Sequence, residues 1–221
     1  MHNLTLSRLT CARGDHIVFS DLDREIPGGG CTLITGANGS GKSSLLRILS
    51  GLLRPQAGTI HLNGQLMRVN DLALHALHCS PAYALKPDLT VITNLEILTS
   101  LYGYPDDVIE AAIDDLDIMD FARTPARHLS SGMQRRAVLA RLAIARRAAP
   151  ADRPIWLLDE PEDSLDSTGL ARLNTLLTAH HNDGGMSIIA SHRAAIETTI
   201  KASIDLDTQH IKSNFMSNDK A

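Results

Sequence analysis

The octet Gly36-Ala37-Asn38-Gly39-Ser40-Gly41-Lys42-Ser43 fits G-x-x-x-x-G-K-[ST] and lies between two apolar runs. The first run, Cys31-Thr32-Leu33-Ile34-Thr35, reads as a short strand. The second, Ser44 to Leu49, reads as a helix ended near Gly51 and Pro55. A strand feeding a glycine-rich loop that opens a helix commits the chain to an α/β fold. Glycines let the backbone wrap a phosphate with its N–H groups pointing inward, and the helix N-terminus adds a favourable dipole. Lys42 supplies a compact positive charge for the β and γ phosphates of a nucleotide. Ser43 offers a hydroxyl ligand to Mg²⁺. Ser44 carries the loop into the first helical turn. At average composition this pattern arises by accident in roughly one chain of this length in a hundred, and its flanking elements make accident rarer still.

Elsewhere two textures alternate. Leu4, Leu6 and Leu9, then Val18, Leu22 and Ile26, read as N-terminal strands before the turn Pro27-Gly28-Gly29-Gly30, and Thr59 to Leu62 reads as another strand. From Val91 to Ala149 the apolar spacing turns helical, through Ile92, Leu95 and Leu98 and then Val108, Ala112 and Leu116. Seven acidic residues fall between Asp106 and Asp120, and six arginines between Arg135 and Arg153. Such blocks read as solvated helix faces, with docking surfaces for another chain as the alternative. Strand and helix alternation resumes at Ile155-Trp156-Leu157-Leu158, a continuous apolar run suited to a buried parallel strand. A helix over Gly169 to Ala179 and a strand at Ser187-Ile188-Ile189-Ala190 follow, and the end of the chain reads as frayed.

Composition narrows the function classes. The 221 residues include 21 Lys and Arg against 25 Asp and Glu, a net charge of −4. Mild acidity argues against binding nucleic acid by bulk charge, so no nucleic-acid partner is expected. No apolar run approaches the ~18–20 residues needed to cross a bilayer, and Met1-His2-Asn3 is a polar start unlike a signal peptide. Any membrane role is expected to come through a partner. Cys11, Cys31 and Cys79 are widely separated with no CxxC pair, which fits a reducing cytoplasm.

Nucleotide hydrolysis also needs a metal-holding group and a water-activating group. Asp159 and Glu160 follow the buried run Ile155 to Leu158 and precede Pro161. Asp159 emerges where it can hold the Mg²⁺ hydration shell, and Glu160 can polarise water. Two adjacent carboxylates at the end of a buried strand are costly unless a cation or partner offsets them.

With these residues in place the chain resembles the ATP-binding cassette (ABC) family. The phosphate loop and the Leu157-Leu158-Asp159-Glu160-Pro161 segment match its Walker A and Walker B motifs. Leu129-Ser130-Ser131-Gly132-Met133-Gln134-Arg135-Arg136 is similar to the LSGGQ signature. Ser164-Leu165-Asp166 resembles the D-loop, and Ser191-His192 resembles the switch-histidine region. Within that family the features closest to a subgroup are the compact length, Cys11-Ala12-Arg13-Gly14-Asp15, the LSSGMQRRAVLARL stretch and the short tail. They are most similar to ATP-binding subunits of cytochrome c maturation haem exporters.

The resemblance implies a P-loop NTPase core of ABC type with an N-terminal antiparallel β portion and an inserted α-helical subdomain. It implies one nucleotide-binding domain over 1–221: a core at about 1–80 and 150–212, a helical subdomain at about 85–149 and a frayed tail at 213–221. It implies ATP and Mg²⁺ as ligands, with Gly36 through Ser44 around the phosphates and Ser43 and Asp159 on the metal. Glu160 orients or deprotonates the attacking water, and His192 contacts the γ-phosphate. Ser130 and the backbone at Gly132, supplied by a second copy, cap the nucleotide, so the implied partner is a homodimer with ATP sandwiched in the interface. The further partners implied are integral-membrane subunits of the cytochrome c maturation B and C type. The implied location is peripheral, at the cytoplasmic face of the inner membrane.

Several positions depart from the family. The signature has Ser131 for glycine and Met133 for glutamine. Alignment on Leu89-Thr90-Val91 puts Ser80 where the family has the Q-loop glutamine, and serine is too short to replace it without a bridging water. Arg13 stands at the adenine-stacking position in place of an aromatic ring. Its guanidinium can stack on a base or lie solvated at the surface. His75, His78 and Cys79 invite a metal or haem reading if the two histidines share a helix face, against an ordinary packing role.

Overall fold

The computed structural model describes residues 2–80, 85–149, 154–191 and 196–207. The N-terminal apolar residues form β1 (Leu4–Arg13) and β2 (His16–Ile26), paired antiparallel. Leu4, Leu6, Leu9 and Cys11 are all buried although the step from Leu6 to Leu9 breaks the period of two. The ladder shifts between Leu6 and Leu9, where Arg8 takes φ 48°. That bulge consumes one extra residue and returns Leu9 to the inner face. A second bulge at Asp21, φ 51°, does the same for Phe19 and Leu22. With β4 (Ala57–Leu62) and β5 (Gln65–Leu66) these strands make an antiparallel sheet in the order β2-β1-β4-β5.

The second sheet contains β3 (Cys31–Thr35), β6 (Ala76–Cys79), β7 (Ile155–Asp159), β8 (Ser187–Ala190) and β9 (Ile200–Asp205), in the order β6-β7-β8-β3-β9. Every pairing in it is parallel. The last strand leaves little trace in the sequence because it is an edge strand. Ile204 is buried, but Ile200 is 49% exposed, so one paired face suffices to hold it.

Helix α1 (Lys42–Leu49) lies between the two sheets, burying Leu45, Leu46, Ile48 and Leu49. It begins at Lys42, two residues before the expected start. A short α2 (Val69–His75) precedes β6. The other face of the parallel sheet, through Leu77, Cys79, Trp156, Leu158 and Ile189, packs on a helical layer. That layer consists of α3 (Val91–Tyr102), α4 (Val108–Leu116), α5 (Ser131–Ala148) and α6 (Ser167–Asn182), with single 3-10 turns at Met119–Phe121 and Ala126–His128. Helix α5 is apolar over much of its circumference, from Ala137 to Ala145 with only Arg141 interrupting, as expected of a helix buried on several sides. The observed layers agree with an α/β core carrying an antiparallel β portion and a helical region. The tail at 213–221 lies outside the described residues.

One expectation holds for part of its residues and another is corrected. The acidic block is largely a solvated face as expected, with Asp106, Asp107, Glu110, Asp114, Asp117 and Asp120 exposed, whereas Arg135 is buried and several arginines of the basic block are half-buried in contacts between helices. Arg147 grips both carboxylate oxygens of Asp115 at 2.8 Å, and Arg146 pairs with Asp183 at 2.8 Å. Arg136 donates to the Asp117 carbonyl, and Arg172 donates to the carbonyls of Asp114 and Asp115. These bonds bring cationic donors to the carbonyls at the end of α4, where the Asp114 carbonyl also accepts the Asp117 N–H. The histidine premise fails: His75 ends α2 while His78 lies on β6, where it and Cys79 alternate between the two faces. Among the described residues no helix is long and apolar enough to cross a membrane.

Candidate nucleotide-binding site

The loop after β3 turns so tightly that Gly41 takes φ 105° as the residue before α1. A Cβ there would stand 2.6 Å from Val18 Cγ1, so only glycine fits both the conformation and the space. No side chain caps α1, and its first turn contains no acidic residue. Its N-terminal N–H groups are thus left for an external anion, which is the observation by which a phosphate group fits this loop.

Lys42 is buried and its Nζ donates to the carbonyls of Gly36 (2.8 Å) and Ala37 (3.0 Å). Burial lowers the pKa of this ammonium, while the nearby carboxylates of Glu160, Asp207 and Asp159 work against that. A cavity of about 220 Å³ opens beside it, lined by Arg13, Val18, Asn38, Gly39, Gly41, Lys42, Ser43, Ser44 and Glu160. The structure therefore brings Arg13, 29 positions upstream by sequence (42 − 13), to the same cavity as the loop lysine. Larger cavities of about 560 and 490 Å³ lie among the helices and touch none of these groups.

The paired acids are separated by the backbone. Asp159 closes β7 after four buried apolar residues. Glu160 takes φ 47°, a left-handed conformation unusual for a side-chain-bearing residue, and its N–H donates to Ala190 O at 2.8 Å. This turn sends the Glu160 carboxylate to the cavity wall, and backbone strain of this kind recurs at functional sites. Ser80 follows Cys79, which pairs with Leu158, so it stands at the strand end beside Asp159 and is 3% exposed. The expected switch residue His192 lies outside the described residues.

The signature residues stand apart from this cavity. Ser130 caps α5, accepting from the Met133 N–H at 3.3 Å. Gly132 faces the D-loop: a Cβ there would meet Ser164 O at 2.7 Å. Asp166 of the same loop caps α6 through the Gly169 N–H at 2.7 Å. None of Ser130, Ser131 and Gly132 lines the cavity around Lys42.

Two polar contacts at the site had no local signal in the sequence. Asp207, beyond β9, accepts a hydrogen bond from the Ala37 N–H across 170 positions. Glu162, 4% exposed, accepts from the Ser191 hydroxyl at the end of β8. Both pairings depend on how the parallel strands are ordered, which spacing alone does not reveal.

A phosphate loop running from β3 into α1, with paired acids at the end of β7 on the far side of β8, is the arrangement of an ATP-binding cassette. The ABC transporter family model matches residues 19–163, and the chain belongs to this family of ATP-binding, ATP-hydrolysing subunits. Among curated relatives, the cytochrome c biogenesis ATP-binding export protein CcmA of Cupriavidus necator is 42% identical over 194 residues, covering 86% of this chain and 82% of that protein. The protein of the same description from Pseudomonas savastanoi is 41% identical over 192 residues, covering 86% and 87%. Among solved structures, an ABC transporter ATP-binding protein from Pyrococcus furiosus superposes with a TM-score of 0.77 at 22% identity, covering 94% of this chain and 98% of that one. A dimeric cassette in a post-hydrolysis state bound to ADP and Pi gives 0.73 at 25% identity, covering 87% and 89%.

Proposed function

We propose that this chain powers the export machine of cytochrome c maturation, binding and hydrolysing ATP to drive membrane subunits of the B and C type that handle haem. The reading is supported by the relatives named for cytochrome c biogenesis and by the whole motif set lying in order along one cassette. We further propose its division into a core at about 1–80 and 150–212 and a helical subdomain at about 85–149. Its place is the cytoplasmic face of the inner membrane, held there by its partners.

The chemistry follows from the cavity. The amides from Gly36 to Ser44 and the Lys42 ammonium take the phosphates, with Lys42 exchanging its present carbonyl partners for phosphate oxygens. Arg13, at the cavity rim, lies against the base. Ser43 and Asp159 are the residues to hold Mg²⁺, which when bound supplies charge neutralisation across the phosphates. Glu160 receives or orients the proton of the attacking water, and His192 meets the γ-phosphate. Because Ser130 and Gly132 stand off the cavity of their own chain, a second copy presents them to the nucleotide. Two chains thus close head to tail over two ATP molecules.

The observation carrying this reading is Glu160 on the wall of the same cavity as Lys42 and Ser43. Glu160→Gln is expected to retain ATP binding while turnover falls by ~10²–10⁴-fold, the range for a lost general base. Steady-state ATPase and equilibrium nucleotide binding on the same preparation test it. Unchanged turnover in that variant would remove the role given to Glu160.

A further inference from the structure

We propose that Asp207 is a positioning residue for the phosphate loop, its carboxylate holding the Gly36–Ala37 peptide in the orientation that nucleotide binding requires. The proposal rests on the nucleotide-site reading above and assigns to that site a residue from outside its motifs.

Both carboxylate oxygens of Asp207 lie within hydrogen-bond distance of the Ala37 N–H, at 2.9 and 3.0 Å. The carbonyl of the same peptide unit, Gly36 O, accepts from Lys42 Nζ at 2.8 Å. A trans peptide points its C=O and N–H in opposite directions. Asp207 and Lys42 therefore grip one peptide from opposite sides with opposite charges. Each bond polarises the amide in the sense that strengthens the other. The next carbonyl, Ala37 O, accepts from both Lys42 and the Ser40 N–H, so the first turn of the loop hangs on this pair of side chains.

Asp207 is itself delivered on a fixed support. Thr35, the last residue of β3, pairs with Asp205 at the end of β9, and the Leu206 N–H donates to Thr35 O at 3.1 Å. Leu206 is fully buried, and the Asp207 N–H donates to Asp205 Oδ1 at 3.0 Å. The strand that launches the phosphate loop and the strand that brings its tether are thus hydrogen-bonded neighbours.

A carboxylate this near a triphosphate site carries an electrostatic cost that a neutral acceptor would avoid, so its presence calls for a compensating role. Nucleotide binding provides one. Lys42 has to give up the Gly36 and Ala37 carbonyls to reach phosphate oxygens, and the loop then loses its internal grip. The Asp207 bond, on the far side of the peptide, persists through that exchange. It keeps a glycine-rich segment from paying its ordering entropy at each binding event.

The test compares the full chain with Asp207→Ala and Asp207→Asn, measuring the Kd for Mg·ADP by calorimetry, the KM and kcat for ATP, and thermal unfolding. Asp207→Ala is expected to weaken Mg·ADP binding about tenfold, or about 1.4 kcal/mol, as for loss of a charge-assisted hydrogen bond. KM is expected to rise in step while kcat stays within about twofold. Asp207→Asn, which retains an acceptor oxygen, is expected to recover most of the affinity. If Asp207→Ala does not fold, a loss of about threefold in Asp207→Asn supports the proposal. Asp207→Ala folding like the parent and binding Mg·ADP equally well or more tightly overturns it, as does parent-like binding by Asp207→Asn where Asp207→Ala does not fold, or a fall in kcat with KM unchanged. Failure of the parent chain to bind Mg·ADP would instead strike the nucleotide-site reading itself.

Discussion

The two faces of the parallel sheet are equally apolar, yet they do different work. The face toward α1 ends in Asp159, Glu160 and the phosphate loop. The face toward α3, α4, α5 and α6 is sealed by Leu77, Cys79, Trp156 and Leu158 against an alanine-rich helix. Chemistry gathers at the carboxyl ends of the strands, where backbone groups leave the ladder and become available to a ligand. The opposite end of the sheet is polar too, but there side chains pair with one another across elements. His181 bridges the Thr198 and Ser187 hydroxyls at 2.8 Å each.

That contrast can be broken by substitutions that ought to dissociate binding from stability. The largest effect is expected for Lys42→Ala, which removes the only lysine lining the cavity among the described residues and is predicted to abolish measurable nucleotide binding while the chain stays folded. Tight ATP binding by that variant, measured by calorimetry, would contradict the phosphate-cradle reading. Leu142→Ala attacks the sealed face instead. Leu142 is fully buried in α5, and its truncation is predicted to cost about 2–5 kcal/mol in denaturant unfolding with nucleotide affinity unchanged.

The smallest effect concerns the opposite end of the sheet. Burial, with Lys201 nearby, lowers the His181 pKa from 6.5 to about 4. As pH falls the unfolded chain therefore takes up this proton first, and the folded form loses ground. The contribution is complete above pH 6.5, is lost as pH falls from 6.5 to about 4, and changes no further below that. Thermal midpoints across that window should slope less steeply in His181→Gln than in the parent chain. Equal slopes would remove His181 from the acid response.

The local geometry of the motifs was legible because each is fixed by its immediate neighbours. Gly36 to Ser43 forms the expected turn, and Ile155 to Leu158 is buried throughout. The bulges at Arg8 and Asp21 were hidden because a skipped step in alternation looks the same as a failed strand. Edge strand β9 gave no signal, and with it went Asp207. The solvated acidic face was legible, but its pairings were not: Asp115 and Arg147 become partners only after α4 and α5 are laid side by side. His75 and His78 show the limit of spacing arguments, since a separation of three means a shared face only if no strand intervenes.

Helix α5 begins at the signature and ends at Arg146 and Arg147, which fasten its far end to Asp183 and Asp115. Eighteen residues of helix make a rod of about 27 Å, so swinging it by about 10° around that fastened end sweeps its tip through about 5 Å. A modest push on the surrounding helices is therefore geared up at Ser130.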